Sequence, residues 1–439
     1  MSLSFAAAVQ RGWQSRPIKS TVLGCINGLW GEEPDGTPDD VVCVRVADFD
    51  RTIDRISADR LTVRRIPVAD RGHRALQRGD LLLEKSGGGE LQPVGKVVLF
   101  DLAQPAVCSN FIARMPVAPG YDPRFLCYLH RALYDARVNT RSIKQSTGIQ
   151  NLDSSSYLAE RVAIPASEEQ RAIADFLDRE TAKIDAAISN RRTLLDLGRE
   201  AWSATLERAV TRGLAPGGDR WPFASGRWPL VPFNRIMRRV EQGWSPVAED
   251  RQAHDLEWGV IKLSAVHRGA WRAEEHKALS PDTQPDRRFE IRPGDFLLTR
   301  ANTPDLVGDV CVVGQTRSNL MLCDLVYRIA FDTSVVEKDF VAYWLLSRAG
   351  RHQIEVEAVG SSQSMVKISR GRMGHWFVPL PSLDEQRQIV EEVQTVERTY
   401  GAAKARHRRS EELLREYRSA LVFAVVTGQI DVRDAKPVN

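Results

Sequence analysis

The residues of this chain best suited to chemistry are few, and their spacing works against it. Ser86-Gly87-Gly88-Gly89-Glu90, followed by Gly95-Lys96, has the ingredients of a phosphate-binding loop: glycine amides to cradle an anion and a lysine to meet it. That loop needs a glycine five residues before Gly95, where Glu90 stands, and a hydroxyl after the lysine, where Val97 stands. The same glycines lead toward Pro93 and a strand, so a dinucleotide-binding turn fails as well, and a tight turn between strands is expected. No Gly-x-Ser-x-Gly elbow and no His-Glu-x-x-His pair occurs, and His254, His267 and His276 are scattered. Pro281-Asp282 with Pro285-Asp286-Arg287 is a weak approach to a carboxylate cluster. The six cysteines include no Cys-x-x-Cys pair and read as reduced, mostly buried thiols, without zinc or disulfides. The chain alone is expected to catalyse nothing.

Charge says more by position than by amount. The 439 residues are 43% hydrophobic and 27% charged with a net charge of +4, the composition of a globular protein of two or three domains. Arg60, Arg64, Arg65, Arg71, His73, Arg74 and Arg78 crowd one segment, and Lys404, Arg406, His407, Arg408 and Arg409 another. Each cluster taken alone is expected to be a solvated face. No apolar run reaches the roughly 20 residues that span a bilayer. Leu3 to Val9 lacks the basic region of a secretion signal, so a cytoplasmic location is expected.

What must position any functional group is a duplication at an offset of about 215 residues. Leu76-Gln77-Arg78-Gly79-Asp80-Leu81-Leu82-Leu83 recurs as Ile291-Arg292-Pro293-Gly294-Asp295-Phe296-Leu297-Leu298. Ile164-Pro165 through Glu169-Gln170-Arg171 recurs as Leu380-Pro381 through Glu385-Gln386-Arg387, and Val210-Thr211 as Val426-Thr427. Solenoid units run about 20 to 50 residues, so this period is a duplicated domain with its connector. In each half short β-rich runs and a helical pattern (Pro123 to Ala136, Glu337 to Ala349) precede a long helix.

The long helices open on Ser167-Glu168-Glu169-Gln170 and Ser382-Leu383-Asp384-Glu385, which read as capping boxes. In the first, Ile173, Ile184, Leu195 and Leu206 recur every eleven residues, flanked by Leu177, Ile188 and Val210. The second carries Ile389, Val393, Val396, Tyr400, Leu414, Tyr417, Leu421 and Ala424, with a weak middle at Ala403, His407 and Ser410. Helices this long need a partner, and the nearest is each other. The expected fold is α+β: two pseudo-symmetric α/β heads separated by a long antiparallel two-helix coiled coil, a dumbbell. Its segments are 1–166 (first head), 167–213 (first long helix), 214–227 (Gly- and Pro-rich linker), 228–381 (second head), 382–428 (second long helix) and 429–439 (tail).

These residues resemble the specificity subunit of type I restriction-modification systems over nearly the whole chain. Ile164-Pro165 through Glu169-Gln170-Arg171-Ala172-Ile173 and on to Asp185 looks like that family's central conserved region, and Val378-Pro379-Leu380-Pro381 through Val390 like its C-terminal counterpart. Lys85-Ser86-Gly87-Gly88-Gly89 with Pro93-Val94-Gly95, and Thr299-Arg300-Ala301-Asn302 with Val307-Gly308, look like two copies of its target-recognition signature. The second copy lacks the glycine triplet, and has Ser361-Ser362-Gln363-Ser364-Met365-Val366-Lys367 where the first has Ser146-Thr147-Gly148-Ile149-Gln150-Asn151. The resemblance implies that each head reads one half of a bipartite sequence in double-stranded DNA while the helices set the gap. It also implies two docked methyltransferase subunits and two restriction (helicase-nuclease) subunits. S-adenosylmethionine, ATP and Mg²⁺ would be used by those partners, with no cofactor in this chain.

Base reading needs side chains with paired hydrogen-bonding groups. On that ground the candidate readers are Lys85, Arg141, Lys144, Gln145, Thr147 and Gln150 in the first head, with Arg300, Asn302, Thr303, Gln363, Lys367 and Arg372 as rough counterparts. Each could instead contact phosphate, which positions without specifying, or be an ordinary surface residue. Two other readings compete: a two-headed scaffold that binds protein, and an enzyme with an unrecognised site between head and helix. Salt-dependent DNA binding separates the scaffold from the DNA reader, and turnover of a nucleotide or methyl donor by the isolated chain would favour the enzyme.

Overall fold

The computed structural model describes residues 11–146, 149–218, 221–362 and 365–433. The chain divides into two compact units, Met1–Arg191 with Arg408–Asn439, and Arg192–His407. The division falls inside the long helices, Ser167–Thr211 and Leu383–Val426, so each unit is a head with part of both helices. Among the described residues, no helix is long and apolar enough to cross a membrane.

In the first unit, Leu81–Glu84 is buried along its whole length: Leu81, Leu82 and Leu83 are an unbroken apolar run, and Glu84 at its end pairs with Arg51 at 2.7 Å. It pairs antiparallel with Ile112–Met115 and Val97–Leu99, and Ile26–Asn27 flanks Ile112–Met115. A mixed sheet sets Asp40–Val44 between Ala106–Cys108, parallel, and Val63–Arg65, antiparallel. A third sheet is the hairpin Ile143–Ser146 and Ile149–Leu152 with Ser86–Gly87 along its edge. Gln14–Pro17 pairs with Arg161–Ile164 and closes the head at the start of the long helix.

The second unit repeats this topology. Phe296–Thr299 lies between Val326–Phe331 and Val310–Val312, and Met237–Gln242 flanks Val326–Phe331. Gly259–Ile261 takes the place of Asp40–Val44, between parallel Leu320–Met321 and antiparallel His276–Ala278. The third sheet is Val359–Ser362, Met365–Lys367 and Ala301–Asn302, and Leu230–Pro232 with Phe377–Pro379 closes the head.

The duplicated Gly-Asp has a physical cause. Gly79 (φ +97°) and Gly294 (φ +83°) take backbone conformations that favour glycine. The next residue, Asp80, accepts from Gln77 N at 2.6 Å and from Arg114 Nε at 2.6 Å. Asp295 likewise accepts from Arg292 N at 2.9 Å and Arg328 Nη1 at 3.2 Å. One carboxylate thereby closes the turn and ties it to the neighbouring strand.

Helices form where caps permit. Asp122 accepts from Arg124 N and Phe125 N, and Pro123 fills the first position of Pro123–Asp135. The helix expected over 337–349 is two, Lys338–Leu346 and Arg348–Glu357. Ser347 is extended between them, and its hydroxyl accepts from Gly350 N at 3.1 Å to start the second. The linker contains paired strands, Leu214–Gly218 and Trp221–Ser225.

Neither capping box closes as expected. Gln170 is buried; its Oε1 accepts from Asp122 N at 2.9 Å and its Nε2 donates to Pro165 O at 2.9 Å. Gln386 does the same with Glu337 N (2.8 Å) and Pro381 O (2.9 Å). Buried backbone groups outside the long helix need these amides more than its own first turn does. Ser382 does cap, accepting from Glu385 N at 3.3 Å, while Glu385 turns away to Arg227 and Trp228 Nε1.

Within each unit the helix segments run antiparallel. In the first, Arg11 links Glu169 to the carbonyls of Gly428 and Ile430, and Asp185 lies 3.4 Å from Arg418. In the second, Arg212 meets Glu392 at 3.0 Å, and a Cβ on Gly198 would come 3.0 Å from the Tyr400 ring. Ile173, Leu177, Ile184 and Ile188 are buried in the first unit and Leu206 and Val210 in the second, with Leu195 half-buried. Tyr417 is a correction: it is exposed, and Arg418 occupies the buried stripe with Leu421, Val422 and Val425. A 3.6-residue period from Leu414 reaches 418 rather than 417.

Candidate nucleic-acid interface

The third sheet of each unit gathers candidates that lie far apart in sequence. In the first unit, Lys85 precedes the edge strand Ser86–Gly87, which pairs with Gln150 and Asn151, and Lys144 lies opposite Asn151. In the second, Arg300 precedes the edge strand Ala301–Asn302, which pairs with Lys367 and Val366. The two arrangements are topologically equivalent.

The glycine run that suggested a phosphate loop is the turn leaving this edge strand. Gly87 (φ +117°) and Gly88 (φ +62°) are left-handed, and a Cβ on Gly88 would meet Val94 N at 2.8 Å. Lys96 is buried against Asp54 at 2.5 Å, so it presents no charge to an anion.

The candidates differ in exposure. Lys144 is 77% exposed and pairs with Asp153 at 2.7 Å, which holds that carboxyl below the usual carboxylate range. Arg141 pairs with Glu160 at 3.7 Å, and Arg372 with Glu357 at 3.3 Å. Exposed pairs of this kind contribute about 0–1 kcal/mol, so a phosphate could displace the carboxylate at little cost. Lys85 Nζ donates to Asn27 Oδ1 at 2.6 Å. Arg300 is half-buried with its guanidinium 5.8 Å from the Tyr327 ring centroid. Asn302 accepts from Thr303 N, and Thr303 and Lys367 are exposed. Gln145 lies opposite Gln150 in the hairpin register. Thr147 and Gln363 lie outside the described residues.

Gln150 is buried, and its Oε1 accepts from Val94 N at 3.2 Å, so it holds the glycine turn instead of facing outward. Its neighbour Asn151 was missed. It is exposed, and its Oδ1 accepts from Ser86 Oγ at 2.6 Å. The signal was present: in Ile149-Gln150-Asn151-Leu152 the period of two puts Gln150 on the face of buried Leu152 and Asn151 on the other.

Part of the first basic cluster is tied into structure, whereas Arg408 and Arg409 of the second stay exposed on the helix surface, as a solvated face would. Arg64 is buried beside Trp30 and pairs with Glu33, Arg65 pairs with Glu32 and Asp35, and Arg71 donates to the carbonyls of Ile66 and Pro38. On the second long helix Arg408 and Arg409 both reach Glu412. All six cysteines are free and five are buried; burial pushes the Cys43 thiol up to about 11.

No family model matches the chain. It is 26% identical over 168 residues to the EcoEI type I restriction enzyme specificity subunit of Escherichia coli, covering 38% of this chain and 28% of that one. It is 20% identical over 320 residues to the StySPI specificity subunit of Salmonella potsdam, covering 72% of this chain and 67% of that one. A third match, 20% identical over 316 residues, is the MjaVIII specificity subunit of Methanocaldococcus jannaschii, covering 70% and 71%. Among solved structures, one described as showing complex assembly and conformational transition of the type I R-M system superposes with a TM-score of 0.62 at 18% identity, over 95% of this chain and 98% of that one. The curated relatives are thus type I restriction specificity subunits, as the sequence motifs indicated, and the solved structure shares the fold.

Proposed function

We propose that this chain, similar in sequence to the specificity subunits of type I restriction enzymes, is the DNA-sequence reader of such a complex and does no chemistry itself. Each unit reads one half of a bipartite target, and the long helices set the gap and dock two methyltransferase subunits. Restriction subunits complete the assembly in the cytoplasm. S-adenosylmethionine, ATP and Mg²⁺ belong to the partners. The observation that carries this reading is the duplicated hairpin sheet, with Lys85, Lys144 and Asn151 on one copy and Arg300, Asn302 and Lys367 on the other. A β-ribbon fits the major groove, where lysine and arginine suit guanine and asparagine suits adenine.

The test is reconstitution. The purified chain alone should neither methylate nor cut DNA, and should confer sequence-specific methylation once mixed with its methyltransferase partner. Duplex binding by that complex should fall steeply with salt, as phosphate neutralisation requires. A flat salt dependence, or methyl transfer by the chain alone, would overturn the reading.

A further inference from the structure

The two hairpins share a feature that hydrogen-bond readout does not explain. Ile149 is 53% exposed and Met365 is 43% exposed, and each opens the second strand of its hairpin. They sit at equivalent positions of the two units, on the outward side of an alternation that continues to Asn151 in one copy and Lys367 in the other. Ile149 lies beyond the pairing of Gln150 and Asn151 with the edge strand Ser86–Gly87, and opposite Ser146. Lys144, with its exposed ammonium, is on the neighbouring strand. A large apolar side chain beside an amide or a cation, on a ribbon of groove-filling width, has a specific partner in DNA. The 5-methyl of thymine is the one apolar group on the major-groove edge of a base pair.

We infer that Ile149 and Met365 each contact a thymine methyl, one in each half of the target. This rests on the DNA-reading function proposed above and names part of what is read. It requires each half-target to contain a thymine, on either strand, at the position these side chains reach.

The experiment uses the full chain assembled with its methyltransferase subunit, on duplexes carrying the target established by mapping methylated sites. Each thymine is replaced in turn by uracil, which keeps every hydrogen-bonding group and lacks only the methyl. One position in each half should weaken binding, by roughly four-fold for one buried methyl group. In Ile149→Ala the uracil effect should vanish in one half only, and in Met365→Ala in the other only. A half-target without thymine would overturn the inference, as would uracil effects unchanged in both variants. So would loss of the methyltransferase subunit from either variant, since the residues would then belong to a protein interface. Failure of the underlying reading looks different: the unaltered complex would show no preference for target over mixed duplex.

Discussion

At the scale of single residues, Asp54 gathers three cations in the first unit. Its carboxylate is buried, 2.5 Å from Lys96 Nζ, 2.8 Å from Arg131 Nη1 and 4.0 Å from Arg418 Nη1. Arg418 has Asp185 as its other partner. Removing one member of a buried ionic set strands the charges that remain, at about 3–5 kcal/mol. Asp54→Ala should therefore cost about that much in urea unfolding, and Arg418→Met, amid Leu421 and Val422, distinctly less. Equal losses would mean that Asp54 is not the hub. His130 gives the first unit a pH dependence. Full burial pushes its imidazole from 6.5 down to about 4, and Nδ1 lies 2.7 Å from the Tyr157 hydroxyl. Between those values the unfolded chain binds a proton that the folded one does not, so stability present above pH 6.5 is lost as pH falls toward 4. The loss is on the order of 3 kcal/mol. Urea titrations at pH 7.5 and 4.5 should show it in the parent and not in His130→Gln. At this scale the sequence was only partly legible. Lys144 and Lys367 were proposed from their chemistry and both are exposed; Gln150 was proposed from its chemistry too, but the alternation through Leu152 puts it on the buried face and Asn151 on the exposed one. Arg418 was unreadable as a core residue because its partners Asp54 and Asp185 lie hundreds of positions away.

The elements were more legible than the contacts that join them. Hydrophobic periodicity located both long helices and the helix at Pro123–Asp135. It could not show that Gln170 and Gln386 serve backbone groups of the head: local spacing put Gln170 in the first cap, and the second expected cap ended at Glu385, one residue before Gln386. Gln170→Ala should lower the stability of the first unit by about 1–3 kcal/mol, the cost of leaving buried polar groups unpaired. Gln386→Ala should do the same to the second. Hydrogen exchange read separately in the two units should show each variant loosening its own and sparing the other. The proposed gap-setting role of the helices has its own test. Four residues inserted after Leu195 lengthen a helix by about 6 Å, and stacked base pairs rise about 3.4 Å. Mapped methylation sites should keep both half-targets and gain roughly one or two pairs between them. An unchanged gap at full activity would rule out the helices as the ruler.

For the whole molecule, the duplication was the most legible feature, and it carried the topology. Strand for strand, the three sheets of the first unit recur in the second, including the edge strand and hairpin that gather the candidate readers. Side chains have diverged between the copies while the pairing has not, which fits the proposal that the two units read different half-targets. The proposed function requires the two units to read independently. The most direct measurement exchanges residues 228–381 for the matching segment of a relative with a different target and maps methylated sites in cells that also carry the methyltransferase subunit. One half of the recognised sequence should change to the relative's, with the other half and the gap retained. If both halves changed together, or if the exchange left the whole target intact, the two units would not be separate readers of DNA.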